Sequence, residues 1–140
     1  MPELKTYGVF ISHAWRYSVD YNHLVELIQA APYFRWRNYS VPRHDPATDP
    51  NSETGRTTLA RELDQQIRPV NCVVVIAGMY VAHRYWIQKE IEIAQRYGKP
   101  IIGVVPRGQE RTPTVVQDAA VEMVGWTTAS IVDAIRRHSL

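Results

Sequence analysis

The run "NCVVVIAG" at residues 71–78 limits the fold more than any other stretch of the chain. From Cys72 to Ala77 no polar residue interrupts it. A strand with one wet face alternates between apolar and polar residues. This one does not, so both of its faces are expected to be covered. Two more runs have the same character, "TYGVFISH" at 6–13 and "PIIGVVP" at 100–106. Between the runs the period changes to that of a helix. Leu24, Leu27, Ile28 and Ala31 recur at helical spacing before Pro32, and Leu59, Leu63 and Ile67 do so in "TTLARELDQQIRP". "YWIQKEIEIAQRYGKP" (85–100) closes at Gly98 and Pro100, and "TASIVDAIRRH" (128–138) turns Ile131, Ala134 and Ile135 inward. "YFRWRNYSV" sets Phe34, Trp36 and Asn38 against Arg35, Arg37 and Tyr39, a half-exposed second strand, and "AVEMVGW" is a weaker fifth.

Strands alternating with helices predict an α/β domain with a mainly parallel sheet. Five strands suggest a flavodoxin-like, doubly wound sheet in the order 2-1-3-4-5, with helices on both faces. At 140 residues the chain is expected to be a single domain spanning 1–140. "PRHDPATDPNSETGR" (42–56) reads as a long loop, and the segment after Pro106 as loop with at most a short helix. In such sheets ligands bind beyond the carboxyl ends of the strands, where the strand order reverses. That places an expected site near Ser12, His13 and Trp15 of "FISHAW" after the first strand, and near Met79 and Tyr80 after the third.

Several chemistries are excluded at that position. No acid ends the first strand, as a metal-holding receiver domain requires, and no Ser/Thr-rich phosphate loop stands there. GxxxxGK[ST] and GxGxxG are absent. The five histidines show neither HxxxH nor HExxH spacing. "HDPATDPN" lacks the glycine and distal glutamate of a calcium loop, so no metal is expected. A net charge of +2 does not indicate nucleic acid as a partner. With no signal-peptide layout and no apolar stretch near the roughly 20 residues that span a bilayer, a cytoplasmic protein without a membrane partner is expected. The single cysteine, Cys72, rules out an intrachain disulfide and reads as a buried, inert thiol.

One acid breaks the pattern. At about 100° per residue, the apolar arc of residues 85–100 holds Ile93, Trp86, Tyr97, Ala94, Ile87 and Ile91, with Glu90 near its middle. Lys89, Glu92 and Arg96 fall on the opposite side. Two readings follow. Glu90 is a reactive carboxylate in a dry crevice, or its stem packs while its head reaches water.

"YGVFISHAW" resembles box 1 of Toll/interleukin-1 receptor (TIR) domains, an apolar strand ending in Phe-Ile-Ser. "WIQKEI" resembles the TIR segment in which a tryptophan precedes the catalytic glutamate by four residues. "NYSVPRHDP" together with "FISHAW" is similar to the TIR-like family of ThsB proteins in bacterial Thoeris anti-phage defence. The resemblance implies cleavage of the nicotinamide–ribose bond of NAD, which is a substrate and not a cofactor. It further implies closure of ADP-ribose into a cyclic signal, a separate effector reached by that diffusible nucleotide, and a homo-oligomer when active. By position it makes Glu90 catalytic. Trp86 and Ser12 match the motif tryptophan and the end of box 1, and both, with His13, Trp15, Asn38, Tyr39 and Tyr80, are implied as substrate-binding. The loop from Ser40 to about Thr57 matches the segment over the cleft, although it lacks the usual Arg-Asp and Pro-Gly pattern.

The implied chemistry suits a lone carboxylate. Departing nicotinamide is neutral and leaves an oxocarbenium-like ribosyl cation, so no partner acid is needed. Low dielectric strengthens the attraction between carboxylate and cation. The same burial is expected to raise the carboxyl pKa, so a donor such as Ser12 or a ribose hydroxyl is expected to keep Glu90 ionised. One of Arg16, Arg37, Arg43 and Arg84 is expected to hold the pyrophosphate. The alternative is a non-catalytic TIR-like signalling module, acting by nucleotide binding or homotypic assembly.

Overall fold

The structure is a computed structural model that describes residues 5–13, 19–40, 52–77, 84–106 and 113–140. Its strands are β1 (Thr6–Ile11), β2 (Arg35–Asn38), β3 (Cys72–Ile76), β4 (Ile101–Val105) and β5 (Glu122–Gly125). Its helices are α1 (Val19–Gln29), α2 (Glu53–Ile67), α3 (Arg84–Arg96), α4 (Thr114–Ala119) and α5 (Thr128–His138). The five strands form one sheet in the order β2-β1-β3-β4-β5, and every neighbouring pair is parallel. This is the doubly wound arrangement expected from the apolar runs.

The register explains the composition. Val9 pairs with Cys72 and Ile11 with Val74, while Val73 pairs with Ile101 and Ile76 with Val104. All five residues of β3 are buried, as its unbroken apolar run requires. Right-handed crossovers send α1 to one face and α2 and α3 to the other. Accordingly α2 packs on α3, and α1 packs on α5. Leu59, Leu63 and Ile67 are fully buried along α2, each worth about 1.5–3 kcal/mol relative to exposure. Cys72 is fully buried as well, and burial pushes its thiol up to about 11.

Two glycines serve geometry. Gly98 ends α3 at φ 64°, in the left-handed region, while Lys99 N–H donates to the Ala94 carbonyl at 2.9 Å and satisfies a terminal acceptor. At Gly103 in β4, an added Cβ would lie 2.2 Å from Met123 Sδ on the adjacent strand. The bare backbone there makes room for the methionine.

One boundary differs from the sequence reading. Helix α2 begins at Glu53, four residues before Thr57. The small residues of "SETG" suggest loop, but Ser52 is an N-cap whose Oγ accepts from Gly55 N–H at 2.9 Å, and Glu53 sits in the first turn where a negative charge suits the helix dipole. Within the segment after Pro106, the short helix is α4. Among the described residues, no helix is long and apolar enough to cross a membrane.

Candidate active site

Glu90 lies in the second turn of α3, whose buried residues are Trp86, Ile87, Glu90, Ile91, Ile93 and Ala94. That is the arc drawn from periodicity, with the acid inside it. Glu90 is 0% exposed, so its head does not reach water and the packed-stem reading fails.

The carboxylate meets the end of β1. The backbone N–H of His13 donates to Glu90 Oε1 at 3.3 Å, and His13 Nδ1 lies 3.8 Å from the same oxygen. His13 is itself fully buried. Its ring sits 5.2 Å from that of Phe10 and meets Tyr21 edge-on at 6.4 Å, so it stands beyond β1 where the two helix layers converge. Ser12 does not supply the expected donor to Glu90. It is spent on the sheet: its N–H donates to the Val74 carbonyl at 2.8 Å, and its Oγ accepts from Ile76 N–H at 3.1 Å. Among the described contacts, the peptide N–H of His13 takes the role expected of the Ser12 hydroxyl.

Beside His13 lies a polar cluster that joins Asn38 and Ser40 of the "NYSVPRHDP" motif to Tyr21, which the motifs did not include. Asn38 Nδ2 donates to the Tyr21 hydroxyl at 3.1 Å, which shares a 2.8 Å hydrogen bond with Ser40 Oγ. Ser40 N–H donates to Asn38 Oδ1 at 2.9 Å, and the Ser40 hydroxyl reaches the same oxygen. Since Asn38 Oδ1 can only accept, the serine donates to it, the tyrosine donates to the serine, and the amide donates to the tyrosine. The three side chains close a ring that joins α1 to the end of β2. The signal was present in the sequence, because Asn followed two residues later by Ser favours an Asx turn.

The other expected residues divide. Asn38 belongs to this end of the site. Tyr39 does not: strand alternation sends it to the opposite face, where its ring crowds Gly8 and lines a small cavity with Glu62, Gln66 and Pro69 of the α2 side. Arg37 follows it, with its guanidinium 4.8 Å from the centre of the Tyr39 ring. Trp86 is only 7% exposed and packs edge-on against Tyr85 at 5.0 Å, so it is mainly a packing residue one turn before Glu90. Trp15, Tyr80, Met79, Arg16, Arg43 and most of the loop expected over the cleft lie outside the described residues.

Residues 10–111 match the family described as "Thoeris protein ThsB, TIR-like domain". The chain belongs to that family. The match runs from the end of β1 past β4, so this ThsB-type domain carries Ser12, His13, Asn38, Trp86 and Glu90 all within the matched span. No curated protein matches the chain.

Proposed function

We propose that this ThsB-type domain cleaves the bond between nicotinamide and ribose in NAD, and closes the resulting ADP-ribose into a cyclic nucleotide signal for a separate anti-phage effector. The observation that carries the reading is the fully buried Glu90 held against the His13 peptide at the carboxyl end of β1, in a family with this defence context.

In the proposed step the C1′–N bond breaks and its electron pair leaves with neutral nicotinamide. Positive charge spreads over the ribose C1′ and ring oxygen, and the Glu90 carboxylate stabilises it at low dielectric. A nucleophile within the same ADP-ribose then bonds to C1′ and releases a proton, so the ring closes without an oxidant or a metal. Exclusion of water favours this over hydrolysis to linear ADP-ribose. Ser12 and His13 line the end of β1, Asn38 orders the neighbouring rim, and Trp86 positions the turn that carries Glu90. NAD is substrate, and the active form is a homo-oligomer on this reading.

The test is nicotinamide release from NAD by the purified chain, with mass spectrometry of the product. Turnover that disappears in Glu90→Gln supports the reading, and turnover unchanged in that variant rejects Glu90 as the catalytic group.

The full burial of Glu90 also favours a second reading. As a clamp between α3 and the end of β1, the carboxylate would serve a non-catalytic module that signals by nucleotide binding or assembly. A protein that shows no turnover at any concentration, and loses stability in Glu90→Ala, fits that reading.

A further inference from the structure

Helices α2 and α3 both begin at the end of the sheet where β1 and β3 terminate, and an open groove of about 680 Å³ separates their first turns. It is lined by Glu53, Arg56, Thr57 and Ala60 from α2 and by Tyr85 and Lys89 from α3. Tyr85 and Lys89 are one turn apart on one face of α3, on the outer side of the helix that carries Glu90 inward. Two cations therefore face a shared space across which a large aromatic ring lies 45% exposed.

The cations are available. Neither Arg56 nor Lys89 forms an ion pair with a described residue. The Arg56 guanidinium instead lies 4.4 Å from the centre of the Tyr85 ring. That contact holds the fork in place over an aromatic surface while leaving its N–H groups for an anion. Arg37, one of the arginines expected to hold a pyrophosphate, is likewise stacked on a ring, that of Tyr39, but the cavity beside that ring is lined by Glu62 rather than by a second cation.

From this arrangement we infer that the α2–α3 groove binds a nucleoside diphosphate, with Arg56 and Lys89 on the phosphates and the exposed side of Tyr85 against the base. The ligand class follows from the lining. Two cations lining one groove suit a doubly charged diphosphate. An exposed aromatic ring beside them suits a planar base, to which stacking is indifferent in sequence but not in shape. Glu53 opposes the anion and sets the affinity low enough for release. The binding does not depend on the NAD reading proposed above.

Titration of the full chain with ADP, followed by calorimetry, tests the inference. Arg56→Gln and Lys89→Gln are each expected to weaken ADP about tenfold, as the loss of one charge-assisted contact implies. Glu53→Gln is expected to tighten it several-fold. Lys99→Gln, with the same charge change beyond the far end of α3, is expected to leave it unchanged. Inorganic pyrophosphate is expected to bind more weakly than ADP, since it has no base for Tyr85. Equal binding by wild type and the Arg56→Gln/Lys89→Gln double variant overturns the groove, and so does equal affinity for pyrophosphate and ADP. Nicotinamide release separates this from the reaction. Absent turnover with ADP binding that depends on Arg56 removes the NAD reading and keeps the groove. Turnover that persists while ADP binding is unchanged in the double variant removes the groove and keeps the reaction.

Discussion

The His13 peptide N–H donates to Glu90 Oε1 at 3.3 Å, and both residues are fully buried. One hydrogen bond thus ties the end of β1 to the second turn of α3, and it separates the electrostatic role of Glu90 from its structural one. Glu90→Gln keeps an acceptor for the His13 N–H but removes the charge. It is expected to lower nicotinamide release by about 100-fold or more, on the scale of losing one electrostatic stabiliser, with little change in thermal midpoint. Glu90→Ala also strands a buried donor and is expected to lose about 1–3 kcal/mol in urea unfolding. Equal stability losses in both variants would contradict the separation.

The closed ring of Tyr21, Ser40 and Asn38 is expected to act as a unit. Removing any member leaves two others with one partner fewer. Ser40→Ala and Tyr21→Phe are each expected to cost about 1 kcal/mol, and the double variant less than their sum, because the second deletion finds the ring already open. A double-mutant cycle by denaturant titration checks the sign. Strict additivity would show that the three side chains do not cooperate.

Gly103 gives a graded steric test. The nearest atoms to an added Cβ are Met123 Sδ at 2.2 Å and Met123 Cε at 2.7 Å, the far end of a flexible side chain. Gly103→Ala is therefore expected to cost about 1 kcal/mol as the methionine swings aside, and Gly103→Val clearly more, because β4 is packed on both sides. Combining Gly103→Ala with Met123→Ala should recover part of the loss. Thermal midpoints of the four proteins decide it.

Acid stability should report on Glu122. Hydrogen bonds from Arg137 and then His138 hold its carboxyl at about 2, well below the ordinary 4.5. A depressed folded-state pKa stabilises the native state above the unfolded value, and that contribution fades as pH falls from about 4.5 towards 2. Glu122→Gln should accordingly lower stability at neutral pH and flatten the loss across that window. Unfolding curves at pH 7 and pH 3 measure the difference, and parallel pH profiles for variant and wild type would contradict it.

The fold was legible because its strands advertise themselves. The uninterrupted apolar run of β3 allowed no reading but a covered central strand, and the alternation in β2 marked a half-exposed one. The Glu90 arc was legible for the same reason, since periodicity reports which way a helical side chain faces. The start of α2 was not, because Ser, Thr and Gly are common to loops and to capped first turns, and only the Ser52 cap bond tells them apart. The alternation of "YFRWRNYSV" already set Tyr39 against Asn38, and only the family resemblance grouped the two; in the structure the Tyr39 ring lies on the α2 face. The donor to Glu90 was expected from Ser12 or from a ribose hydroxyl, while the contact described within the chain is made by the backbone N–H of His13, which no residue type announces. Arg56 escaped notice because the groove it lines exists only through what α3 brings opposite it.

The two outermost strands, β2 and β5, are four residues long, against five or six for the three between them. A sheet margin so brief gives an approaching chain few backbone sites on which to nucleate, and the arginines of β2 add charge along one of the two borders. The domain should therefore tolerate crowding and slow refolding without seeding fibrils.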